Sequence, residues 1–113
     1  MKTFRLGQII AERTLFWEKD EDSKVIIKIG QPYPVEPEQV GTLYMCPYQI
    51  ENLGSGELPV EFRGGMDSID ALQNALAAIG QSLYDAQSKV GGRLCWGDRS
   101  NPGLGFPDAR PKP

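Results

Sequence analysis

The stretch SIDALQNALAAIGQSLYDAQSKV, residues 68–90, decides how this chain folds. Ile69, Leu72, Leu76, Ile79, Leu83 and Ala86 recur at spacings of three and four, which draws one apolar stripe along an α-helix. Asp67 stands at the N-cap and Asp70 lies in the first turn, where carboxylates suit the positive end of the helix dipole. Lys89 falls in the last turn, and Gly91 is placed for the left-handed residue that ends a helix. Such a rod is about 34 Å long at 1.5 Å per residue. Gly80 interrupts it at a cost of about 1 kcal/mol relative to alanine. With Ala75, Ala77 and Ala78 it leaves a slim surface, suited to close approach of the sheet, to a modest kink, or to the helix of a second copy.

A helix with one greasy side needs a surface to lie on, and the residues before it supply strands. Residues 9–18 are β-branched and aromatic with charges interleaved, and both faces carry apolar members, so the inward face stays open. Lys19 to Ser23 form a charged turn, and residues 24–30 follow with Val25, Ile27 and Ile29 on the core face. Two such close strands predict an antiparallel hairpin. Residues 31–41 hold three prolines and read as an extended connecting loop. A third strand covers 42–51, with Cys46, Tyr48 and Ile50 sharing a face, and Pro47 marks it as an edge or a bulge. A fourth covers 58–63, with Leu58, Val60 and Phe62 inward and Glu61 and Arg63 outward; a short fifth covers 93–96. The expected fold class is α+β, an antiparallel sheet of four to five strands with one long helix packed on one face. The domain is expected over residues 9–96, after an N-terminal extension at 1–8 and before a proline- and glycine-containing tail at 97–113, anchored by Leu104 and Phe106 alone.

Composition narrows the function by exclusion. A net charge of −3 and Lys and Arg scattered singly argue against nucleic acid, whose binders concentrate positive charge. No apolar run approaches the roughly 20 residues of a membrane helix, and no signal-like segment opens the chain, so the cytoplasm is the expected location. The chain has no histidine, and its two cysteines read as reduced core thiols, with a single disulfide as the lesser alternative. No activated nucleophile, Gly-rich phosphate loop or set of zinc ligands is present, so no catalytic, cofactor-binding or metal residues are assigned and no cofactor is expected. The reading leans away from an enzyme. Candidate binding residues are Trp17, Tyr33, Tyr48, Arg93 and Trp96, of types enriched at binding hot spots.

Ala11-Glu12-Arg13-Thr14-Leu15, Ile29-Gly30-Gln31-Pro32, Cys46-Pro47-Tyr48-Gln49-Ile50 and Gly65 to Leu72, running on to Ala78-Ile79-Gly80, together resemble a family of short bacterial proteins of unknown function. The resemblance spans roughly residues 9–96 and implies a bacterial cytosolic protein, with no activity, substrate or functional residue attached. A sheet covered on one side leaves the other apolar for open water, through Ile10 or Trp17, Ile26 and Met45, and a second copy, a foreign partner or the C-terminal tail is expected to cover it. The first functional expectation is therefore a non-enzymatic interaction module, a homo-oligomer or the binder of a protein partner, with an acidic immunity-type protein as one concrete form. It would act through the open face or the proline-rich loop. The second is a small-ligand binder or enzyme with a pocket between helix and sheet built on Tyr48, Arg93 and Trp96.

Overall fold

A computed structural model describes residues 5–35, 43–54, 59–98, 100 and 103–107. The chain opens with an antiparallel hairpin of β1 (Ile9–Trp17) and β2 (Asp20–Gly30). Cross-strand partners share a face. The pairs Ala11–Ile29, Arg13–Ile27 and Leu15–Val25 therefore put Ala11, Arg13 and Leu15 with the buried Val25, Ile27 and Ile29. That pairing settles the inward face of β1.

The chain continues through β3 (Tyr33–Val35), β4 (Leu43–Glu51), β5 (Glu61–Gly65), helix α1 (Ser68–Val90) and β6 (Leu94–Cys95). Met45 pairs with both Tyr33 and Gly64, and Tyr48 with both Ile29 and Glu61. A strand has two edges, so β2 and β3 lie along one side of β4 and β5 along the other. Across the antiparallel sheet the order is β5, β4, then β2 with its continuation β3, then β1 and β6. Six strands replace the expected four to five. The added one is β3, inside the stretch read as a loop; residues 36–41 of that stretch lie outside the described residues.

Of two further expectations about strands, the choice at Pro47 between an edge and a bulge falls to the bulge, and the bounds and facing of the fourth strand are corrected. β4 is an interior strand, so Pro47 does not mark an edge. Ile29 to Tyr33 is four steps while the partners Tyr48 to Met45 are three, so one extra residue separates β2 from β3. Pro47 falls within that irregularity, the kind of place where a sheet tolerates proline. The fourth strand starts later than read and faces the other way. Glu61 and Arg63 pair with Tyr48 and Cys46 on the inner side, and Phe62 pairs with Pro47 on the outer. Leu58 lies outside the described residues. Alternation gives a period of two without its sign, and here the Tyr48 hydroxyl, donating to Glu61 Oε2 at 2.8 Å, accompanies the inward choice.

Helix α1 has the bounds read from the sequence. The Asp70 N–H donates to Asp67 Oδ1 at 2.7 Å, while Asp70 Oδ2 accepts from the Met66 N–H at 2.8 Å. At the other end Gly91 has φ 71° and its N–H donates to Gln87 O at 2.8 Å. The buried row is Ala71, Ala75, Ile79 and Leu83, with Gly80 beside it. Leu72 and Leu76 flank this row, and Ile69 is 65% exposed. The stripe is thus rotated from the expected one, because the helix sits close. A Cβ on Gly65 would run into the backbone of Ala71, so alanines take the contact positions.

The helix covers β4 and β5. Over β1 the inner face is closed by residues 103–107, where Leu104 is fully buried and Phe106 packs against the core. A Cβ on Gly80 would lie 3.2 Å from Phe106 Cβ and 2.8 Å from Pro107 O. At Gly80 the slim surface of the helix therefore receives the C-terminal segment, while Ala75 lies in the buried row. Both cysteines are free and buried.

Candidate functional site

Three chain segments meet at the hairpin end of the sheet. The β1–β2 turn and the strand ends beside it bring Trp17, Glu18, Lys19, Asp20 and Ser23. The helix terminus brings Val90 to Arg93, and the turn after β4 brings Asn52 to Gly54. Together they line an open cleft of about 690 Å³, within the size range of small-molecule sites. Arg93 donates to Glu18 Oε2 at 2.6 Å, and the Glu18 N–H donates to the Arg93 carbonyl at 2.8 Å, so this contact holds hairpin and helix end together. A side chain at Gly92 would lie 3.3 Å from the Trp17 ring, so glycine leaves room for the indole there.

The five candidate binding residues separate into different surroundings. Trp17 and Arg93 share the cleft. Tyr48 is buried in the sheet; burial, the Glu61 hydrogen bond and the Glu61 charge outweigh the nearby Arg63 and push its phenol up to about 12. Trp96 lies across the inner face of β1, its ring stacked on the Arg13 guanidinium 4.2 Å from the centroid. Tyr33 is exposed on β3. A pocket uniting Tyr48, Arg93 and Trp96 between helix and sheet is not formed, since each is engaged elsewhere. Burial also pushes the Cys46 thiol up to about 11, which keeps it protonated and unreactive. Among the described residues no cluster of three or more His, Cys, Asp and Glu is placed to hold a metal ion.

The second feature is the outer sheet face. Alternation from the paired positions puts Ile10, Glu12, Thr14 and Phe16 there from β1, and Lys24, Ile26 and Lys28 from β2. Met45 and Pro47 of β4, Phe62 of β5 and Tyr33 and Val35 of β3 share that face. Ile10 is 46% exposed, and Tyr33, Val35 and Leu43 are exposed as well. Lys28 bridges to Glu51 at 2.9 Å, and that hydrogen bond and charge hold its pKa above the ordinary lysine value. The helix and residues 103–107 both lie on the opposite side.

A family model described as a domain of unknown function, DUF6968, matches residues 11–108. The chain belongs to the DUF6968 family. No curated protein matches it, and no solved structure does. The DUF6968 match extends past Trp96 and takes in the C-terminal segment. No helix of the described residues is long and apolar enough to cross a membrane.

Arg13 of this DUF6968 chain belongs to the same hot-spot residue types but is not among the five candidates. Its Nη1 donates to the Leu104 carbonyl at 2.9 Å, and its guanidinium stacks on Trp96 and, 4.9 Å from the centroid, on Phe106. The sequence alone carried no signal of this, because the register of β1 with β2 is what fixes its inward face. An arginine at the inward phase of a strand, two residues before the core Leu15, calls for a partner on the buried side.

Proposed function

We propose that this protein is a non-enzymatic interaction module whose working surface is the outer face of its sheet, and whose first partner is a second copy of itself. The carrying observation is the apolar cluster at the β3 end of that face. Ile9 pairs with the outward Gly30, and with Ile10, Tyr33, Val35 and Leu43 it is exposed on one side of the molecule. Exposed apolar surface gathered in this way marks interaction sites more than solvated ones. Charge on the same face favours a copy over a strongly charged partner. On the paired stretches Glu12 and Glu51 balance Lys24 and Lys28, so two such faces meet without a net repulsion. The proposed setting is the bacterial cytoplasm. Co-purification tests the reading: tagged chain should recover untagged chain, and Ile10→Asp with Val35→Asp should abolish recovery. Recovery that survives both substitutions would remove the outer face from the proposal.

A second reading is favoured by the cleft at the hairpin end. Its Trp17 wall, the apolar Leu53 and Val90, and the Arg93–Glu18 pair suit a small molecule with a flat apolar part and a polar end. Ligand-induced change in Trp17 emission, lost in Trp17→Phe, would support it.

A further inference from the structure

Residues 103–107 are held in the manner of a bound peptide. No backbone ladder joins them to the sheet; side chains of the body grip their main chain instead. Arg13 Nη1 donates to the Leu104 carbonyl at 2.9 Å and the Trp96 indole N–H donates to the Gly103 carbonyl at 3.1 Å. The Leu104 side chain fills the core, and Phe106 closes over the Arg13 guanidinium. The seat is cut to glycine at three points. Gly103 and Gly105 have φ of 81° and 77°, and a Cβ at Gly105 would lie 2.5 Å from Arg13 Nη1. On the receiving side a Cβ at Gly80 would meet Pro107 O at 2.8 Å.

We propose that the groove between α1 and β1 is a peptide-binding site for a bent Leu-Gly-Phe-Pro segment, filled here by the chain's own residues 104–107 and open to the same segment from a second copy. The observations favour this occupant over a foreign peptide, because the receiving side holds the Gly103 and Leu104 carbonyls and leaves no room for a side chain at Gly105. Reciprocal exchange would preserve every seat contact, which is how swapped dimers form at low cost. The inference is independent of the outer sheet face and uses the opposite side of the molecule.

The test uses full-length chain carrying Gly105→Ala, which spoils the resident segment and leaves the groove intact, and a labelled synthetic peptide of residues 101–108. Saturable binding is expected. Replacing the peptide's leucine by alanine should weaken it about tenfold or more, the loss of a buried apolar anchor. Wild-type chain should bind the peptide far more weakly, because its own segment competes at an effective concentration on the order of 1 mM. Should Gly105→Ala prevent folding, Phe106→Ala serves in its place. Mixing Gly105→Ala chain with Arg13→Glu chain, an intact groove with an intact segment, should then change Trp96 emission relative to either alone. An outer-face dimer leaves that signal unmoved. No saturable binding by a folded variant, equal binding of the leucine-free peptide, or an unchanged mixture overturns the proposal.

Discussion

Tyr48 is fully buried with its hydroxyl committed to Glu61, and its phenol is held near 12 against an ordinary value of 10.0. A folded state that raises an acid's pKa binds the proton more tightly than the unfolded chain does. Its contribution to stability is therefore complete below the unfolded value and is lost as pH climbs toward the folded one. Cys46, raised from 9.0 to about 11, acts in the same direction at slightly lower pH. Stability should thus decline from about pH 9 upward. Tyrosinate absorbance should show a late step for Tyr48 that comes with unfolding, and Tyr48→Phe should remove it. Glycine gives a second expectation. A Cβ on Gly30 would strike the Leu6 carbonyl and lie 2.8 Å from Pro47 Cγ. Gly30→Ala should cost about 1–3 kcal/mol in denaturant unfolding, the scale of overpacking. At this scale the sequence was uneven to read. The helix caps and the buried phase of Cys46, Tyr48 and Ile50 follow from local pattern. The Arg13 clasp does not, because Arg13 and Leu104 are 91 positions apart and neither is unusual alone.

Helix α1 has ends fixed by local chemistry and a rotation fixed by packing. Its ends were legible because capping is local chemistry: a carboxylate reaching back to the first free N–H groups, and a left-handed glycine after the last turn. Its rotation was not legible. The sequence stripe gives Ile69 as much weight as Ile79, yet Ile69 is exposed and Ala71 and Ala75 are in the seam. Hydrophobicity ranks side chains by size, whereas contact with Gly65 and the sheet demands small ones. Substitution separates the two views. Ile69→Ser should change stability by no more than about 0.5 kcal/mol, as at other exposed sites. Ala75→Leu should cost about 1–3 kcal/mol by overpacking. Asp67→Ala should cost about 1 kcal/mol through the lost cap. Thermal or denaturant midpoints of the three variants order them directly. The strands repeat the lesson, for β5 was found from its alternation but assigned the wrong inward set, and only its register with β4 decides that.

The whole molecule divides its sheet into two sides with different fates. On one side the helix and residues 103–107 close a core that leaves no buried side-chain polar atom without a partner among the described residues. On the other, apolar side chains at the β3 end stand exposed beside a balanced row of charges. The open face was legible in outline, since one helix covers one side of a sheet. The extent of the cluster was not, because it depends on β3 continuing past the break after Gly30. Sedimentation of the purified wild-type chain over a range of concentrations, beside a folded Ile10→Asp, Val35→Asp variant, tests self-association through the outer face. A concentration-dependent dimer for wild type and a monomer for the variant with an unchanged thermal midpoint is the predicted result. A wild-type chain that stays monomeric throughout, or a variant that dimerises equally well, would contradict it.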